Sequence, residues 1–358
     1  MRESHCAEPE NHPGARVLEP PLDFCMTAES PAKANFSTLP RSAQTLAQGL
    51  VDYAGLFPPA KLDMSPAVEN YARYLRGPFA TALGRFICPA AWLDELSTHA
   101  AMLMPGTFAT SGYREMAGDG EPWRISAIVP HPSQTPLEVS LEQIREFNHR
   151  HESEDAGLAL VDAIETPAKD VHEVDALLDL VPEQLAIAVE VPVLDAPGGD
   201  NRGYIAALAG TGAAAKIRCG GVTQDAFPTS RQIAEFLVAC RTAAVPFKAT
   251  AGLHHAMPGD YRLTYDDSPP MGRMHGFVNV FVAAILVGAR SIDADQAEAL
   301  LDDTDPSNFV LTDDAVGWQS HAASIATAAE QRSRFALSYG SCSFDEPTEE
   351  LAALVRER

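Results

Sequence analysis

From residue 50 onward the chain repeats one phrase: a short apolar run, Pro or Gly punctuation, an amphipathic stretch of helical period, and another apolar run. Eight of these runs read as strands, at 49–53, 85–88, 123–129, 158–164, 185–191, 214–219, 246–250 and 336–343. Most are near-continuously apolar instead of alternating, the pattern of parallel strands buried on both faces. Helices are predicted at 65–76, 90–103, 140–151, 171–180, 203–209, 229–245 and 274–287. In the 229–245 stretch Ile233, Phe236, Leu237 and Cys240 fall at i, i+3, i+4 and i+7 and form one apolar stripe. Ser65 followed by Pro66 has the form of a helix start. Strand, helix, strand is the parallel crossover unit, and eight such units close a (β/α)8 TIM barrel. The alternative is an open doubly wound sheet with 336–343 at an edge.

Two segments break the rhythm. Residues 291–335 hold an acidic helical stretch, a hairpin-like Phe309-Val-Leu-Thr-Asp-Asp-Ala-Val-Gly-Trp318 and an alanine-rich helix from Ser320, and read as an insertion before the last strand. Residues 1–40, rich in Pro, Glu, Ser, Asn and His, have little apolar periodicity and are predicted to be a disordered tail ahead of a barrel domain over 41–358. Met26 inside that tail is an alternative translation start.

Composition narrows the class. With 46% hydrophobic residues in 358 the chain can bury a large core. Its 49 acidic against 26 basic residues give a net charge of −23, which repels nucleic acid and anionic lipid. No apolar run reaches the roughly 20 residues that cross a bilayer, and the N-terminus has no signal-peptide core, so no membrane partner and a cytoplasmic location are expected. The six scattered cysteines show no CxxC spacing, which favours reduced thiols over a zinc site. There is no GxGxxG after a strand, no Walker loop and no GxSxG elbow, which disfavours nucleotide-driven chemistry and serine hydrolysis.

The strands carry ionisable residues that buried strands normally exclude, so each demands a partner or a task. Asp52, Tyr53, His131, Glu165, Glu190, Lys216, Arg218, Lys248, His254 and His255 all stand in or just after strands, where barrels of this kind build their active sites. Alternation puts Lys216 with Arg218, and Lys248 with Thr250, on one face each, with Glu190 in ion-pair reach of Lys216. The plain reading is a buried structural layer of ion pairs. The sharper one is that two close lysines in a dry pocket depress each other's pKa, leaving a neutral amine that attacks a carbonyl carbon. Lys248 is then the candidate Schiff-base nucleophile, Lys216 the perturbing cation, and Glu165 or Glu190 the proton carrier. The five-donor fork of Arg218 suits a carboxylate or phosphate. With Gly220, Gly221, Asp52, Thr250 and His275 it makes the expected binding set for a small anionic metabolite.

Phe247-Lys-Ala-Thr-Ala-Gly252 resembles the Lys-Thr-Ser-Thr-Gly strand of the deoxyribose-phosphate aldolase family of class I, Schiff-base aldolases. Lys216-Ile-Arg-Cys-Gly-Gly221 resembles that family's second lysine segment, the two standing here in the opposite chain order. The resemblance covers these two strands and implies a barrel, an imine-forming lysine and no required cofactor. It points to an aldolase-type lyase or an isomerase that handles a small carbonyl or hydroxy acid through an enamine or enolate. Two alternatives stand beside it. His254 and His255, with nearby carboxylates, would hold a divalent metal for enolisation or hydrolysis; or the barrel binds a metabolite without catalysis. The 256–273 stretch reads as a lid, with His275, Asn279 and Tyr261 as secondary candidates. Phe277-Val-Asn-Val-Phe281 and Asp52-Tyr-Ala-Gly-Leu-Phe57 read as packing, and Cys342 gives no sign of being a nucleophile. Apolar outer helix faces leave a homo-oligomer open.

Overall fold

Eight strands close a parallel ring in this computed structural model, which describes residues 35–106, 121–193 and 201–356, all within one unit, Ala34–Arg358. The staves are β1 (Val51–Tyr53), β2 (Leu83–Pro89), β3 (Trp123–Ile128), β4 (Ala159–Pro167), β5 (Ala186–Glu190), β6 (Ala214–Arg218), β7 (Phe247–Thr250) and, after five short strands, β13 (Ala336–Ser341). The last stave pairs with β7 on one side and with β1 on the other, Asp52 lying opposite Gly340. The chain is therefore a (β/α)8 barrel and not an open sheet.

Helices α1 to α11 span Arg41–Ala47, Met64–Tyr74, Leu93–Ala100, Leu137–His151, Val171–Leu180, Arg202–Leu208, Ser230–Thr242, Phe277–Gly288, Ala294–Asp302, Ile325–Arg334 and Asp345–Arg356. In α7 the predicted stripe Ile233, Phe236, Leu237 and Cys240 is buried, and Thr229 with Gln232 forms a capping box that satisfies the first amides. Helix α8 is buried along all twelve residues. It packs on β13 inside and against α9, α10 and the inserted sheet outside, which explains a sequence apolar all round.

The insertion before β13 is α9, a three-stranded antiparallel sheet of β10 (Phe309–Leu311), β11 (Ala315–Trp318) and β12 (His321–Ser324), and α10. The alanine-rich helix starts at Ile325 and not at Ser320, because His321–Ser324 pairs with β11 and Ser324 caps the helix. The expected lid contains a hairpin, β8 (Gly259–Arg262) with β9 (Met271–Met274). The helix predicted from 274 begins at Phe277. The predicted tail, Met26 included, lies outside the described residues as far as 34; beyond that, Asn35 caps a 3-10 turn over Phe36–Thr38 and α1 follows.

Helices α1 and α10 meet at the N-terminal end of the ring, where Arg332 is buried with no carboxylate partner among the described residues. Its guanidinium donates to the carbonyls of Leu46 (2.8 Å), Gln48 (3.0 Å), Leu337 (2.6 Å) and Ala336. Burial lowers its pKa to about 10, still charged at neutral pH. It ties the end of α1 to the start of β13, the two segments that feed the closing strand pair. Arg332→Leu removes the donor from four carbonyls, two of them in buried bonds, and is expected to lower unfolding free energy by about 3–5 kcal/mol, read as a fall in the denaturant midpoint without a change in slope.

Candidate active site

Strand register decides which charges meet. Glu190 on β5 is the partner of Lys216 on β6, which is the partner of Lys248 on β7, so three inward ionisable residues stand side by side in one layer. Glu165, near the end of β4, reaches between the two lysines. Lys248 Nζ lies 2.5 Å from Asp52 Oδ2 and 2.7 Å from Glu165 Oε1; Lys216 Nζ lies 3.0 Å from Glu165 Oε2 and 2.9 Å from Glu190 Oε2. Arg218 Nε completes the series at 3.3 Å from Glu190 Oε1. The order Asp52, Lys248, Glu165, Lys216, Glu190, Arg218 alternates sign and runs outward: side-chain exposure is 1%, 7%, 1%, 7%, 25% and 51% along it.

Hydroxyls and backbone fill the remaining valences at the buried end. Ser126 donates to Glu165 Oε1 at 2.7 Å, and Ser338 donates to Asp52 Oδ2 at 2.8 Å. The Arg85 amide donates to Asp52 Oδ1 at 2.6 Å, and Gly84 beside it lacks the Cβ that would collide with that oxygen. Ser126 and Ser338 escaped the sequence reading. Their only signal is a hydroxyl at an inward position of an otherwise apolar strand.

Burial alone would neutralise these groups, yet pairing overrides it. Desolvation opposes the charge on Glu165, but Lys248 and Lys216 hold its pKa far below the ordinary carboxylate range. Desolvation likewise opposes the Lys248 ammonium, and Asp52 with Glu165 outweighs it and holds its pKa above the usual lysine value. Glu190, opposed by burial and favoured by Lys216 and Arg218, is also lowered. For Lys248 the expected mutual depression of the lysines is thus reversed, because a carboxylate sits between every pair of cations.

A cavity of about 530 Å³ opens above this chain at the C-terminal mouth of the ring. Glu165, Glu190, Lys216, Arg218, Gly221 and Thr250 line it; Lys248 and Asp52 are not part of its lining. Gly220 also stands apart, packed against Gly252 and Phe227. Larger clefts on the outside, about 620 and 660 Å³, have no lysine in their walls. His275 belongs to one of those clefts, where its Nε2 bonds the Pro228 carbonyl at 2.7 Å. Its expected place in the substrate set is corrected: the start of α8 turns it away from the barrel mouth. Asn279 is equally internal, bonding the Leu300 and Asp303 carbonyls. The β8–β9 hairpin contributes no residue to the cavity lining.

The two adjacent histidines diverge, as neighbours in extended chain do. His254 lines the cavity, 3.8 Å from Cys342 Sγ and 3.9 Å from Glu346 Oε2. His255 leaves it, bonding Glu350 at 2.7 Å and stacking on Tyr261 with ring centroids 3.5 Å apart. Among the described residues no group of three or more His, Cys, Asp or Glu is arranged to hold a metal ion. Phe57, read as packing, lines the cavity together with Pro58 and Pro59. The four described cysteines, Cys88, Cys219, Cys240 and Cys342, are buried free thiols, and no described helix is long and apolar enough to cross a membrane.

No protein-family model matches the chain, and no curated protein matches it.

Burial lowers the pKa of His254 from 6.5 to about 4. Between those values the unfolded chain binds a proton that the folded one refuses, so stability falls as pH drops through this window and levels off below it. Relative to His254→Asn, the wild-type protein is expected to lose about 3 kcal/mol of unfolding free energy between pH 7 and pH 4. Paired urea titrations across that range measure the difference.

Proposed function

We propose that the protein is an enzyme that forms an imine between Lys216 and a small anionic carbonyl substrate, acting as an aldolase-type lyase or an isomerase. The observation that carries this reading is the position of Lys216: it is the lysine in the cavity wall, held between two carboxylates of different exposure. Lys248, the lysine first favoured from the sequence, is a positioning residue here. Outside the cavity lining, it keeps Glu165 ionised, and Glu165 in turn keeps Lys216 in place.

The proton accounting closes within the chain. The Lys216 ammonium gives a proton to Glu190, 2.9 Å away, and the neutral amine attacks the carbonyl carbon. The first adduct passes a second proton from its nitrogen to the alkoxide oxygen, giving the neutral carbinolamine, whose hydroxyl takes the first proton back from Glu190 and leaves as water as the nitrogen lone pair forms the C=N bond. The product iminium carries the same single positive charge as the ammonium it replaces. Glu165 and Glu190 therefore stabilise it with no rearrangement of the site. Breaking a C–H or C–C bond at the carbon next to the iminium carbon sends its electron pair into a new C=C bond as the C=N pair withdraws onto nitrogen, leaving a neutral enamine; Glu190 takes the C–H proton, or the proton of the hydroxyl whose carbon departs as a carbonyl. Loss of that cation raises the proton affinity of Glu190, which suits it to be the base. Glu165, almost fully buried and held ionised by both lysines, is the fixed anion; Glu190, a quarter exposed, is the mobile proton carrier.

Arg218, half exposed at the rim, is the group for the substrate's anionic end. A reducing, cytoplasmic setting accords with the buried free thiols.

Borohydride reduction with a panel of 2-oxo acids and aldehydes is expected to leave one adduct, on the peptide bearing Lys216, and none in Lys216→Arg. An adduct on Lys248, or none with any carbonyl, overturns the reading. Glu190→Gln is expected to slow adduct formation by about 10²-fold or more while tightening carboxylate binding, since Arg218 loses the anion that competes for it, both measured by stopped quenching over a substrate series.

A further inference from the structure

Two arcs of the cavity wall differ in character, with Thr250 of β7, and His254 and Cys342 from the segments after β7 and β13, between the two on one side. Going round the ring, the arc from β1 to β3 and the loops after it gives Phe57, Pro58, Pro59, Ile87, Ile128 and Val129. The arc from β4 to β6 gives Glu165, Glu190, Lys216 and Arg218. The polar interruption on the first side is His131 with Gln134 in the outer loop, and His131 is occupied by Glu173 at 2.8 Å. In a ring of eight staves the one opposite β6 is β2. Ile87 of β2 therefore stands across the cavity from Lys216. The small residue Gly340 on β13 leaves Ile87 its space, since a Cβ there would meet Ile87 Cδ1 at 3.0 Å.

A carbonyl carbon held at Lys216 fixes one end of the substrate in the charged arc. Whatever extends from it across the mouth arrives on the apolar arc. A cavity of about 530 Å³ is in the range that encloses ligands well above three carbons. Resting on the imine reading above, we propose that the substrate is a carbonyl acid whose remainder is an apolar chain or aryl ring, seated against β1–β3, and not a small polyhydroxylated sugar phosphate. Apart from Gln134 in the outer loop, this wall offers a hydroxylated remainder no free side-chain partner and leaves most of its hydroxyls desolvated.

Calorimetry with acetate, butyrate, hexanoate and phenylacetate tests the apolar arc without needing a carbonyl. Affinity is expected to rise about fourfold per buried methylene, with phenylacetate among the tightest. Phe57→Ser and Ile128→Ser, both at partly buried positions, are expected to flatten the series while keeping the fold. A flat series in the wild-type protein overturns the proposal. Borohydride trapping with 2-oxo acids of matching length separates the two readings. A length-dependent series with no adduct removes the imine and keeps the apolar substrate; adducts on Lys216 with a flat series do the reverse.

Discussion

Glu165 is the residue on which the rest of the site depends. The register sets Lys216 and Lys248 directly beside each other, and two ammonium groups in one dry layer repel unless an anion stands between them. Glu165 gives one oxygen to each, at 3.0 Å and 2.7 Å, and converts a repulsive pair into the middle of an alternating series. The series holds three cations and three carboxylates, so it adds no net charge to the barrel interior. Removing any inner member leaves a buried charge without its partner, a more damaging change than removing a whole pair. The inner members are thus locked by one another, and freedom increases outward to Arg218.

The two ends of the ring solve different problems with the same residue types. At the N-terminal end Arg332 meets only carbonyls, a neutral and rigid set of acceptors that closes the strand junction. At the other end every cation meets a carboxylate, a partner that can take a proton or be exchanged for a substrate anion. The insertion before β13 packs against α1, α7 and α8, and none of its residues lines the cavity at the C-terminal mouth. Stability is concentrated away from the cavity, as barrels generally arrange it.

Much of the architecture was legible because parallel strands must be apolar and their connections punctuated; all eight staves lie within or overlap the runs read from sequence. The face shared by Lys216 and Arg218 followed from alternation, and the reach of Glu190 to Lys216 from adjacency. Depth was not legible. Lys216 and Lys248 have the same parity and the same apolar flanks, and what distinguishes them is that Lys248 pairs with Asp52 of β1 and lies outside the cavity lining. Asp52 is 196 residues away in sequence, and no local pattern carries that contact. The same limit hid the approach of His254 to Cys342, 88 residues apart, and the cavity role of Phe57. Helices α1 and α11 were missed because each is short or follows directly on a strand run, where the change of period has little room to register.

On the proposed reading, a neutral series also constrains how an anionic substrate is received. The site has no surplus cation among its six members, so a carboxylate entering the cavity competes with Glu190 for Arg218. Arg218 is the member best suited to yield, since it is half exposed and its bond to Glu190, at 3.3 Å, is the longest in the series. When it turns to the substrate, Glu190 loses one of the two cations that hold its pKa down. Its proton affinity then rises at the moment a carbonyl stands next to Lys216. In the imine reading, substrate binding itself prepares Glu190 to accept the lysine proton. Binding energy is in this way spent on the step that makes the nucleophile, a coupling that a preformed neutral lysine would not provide.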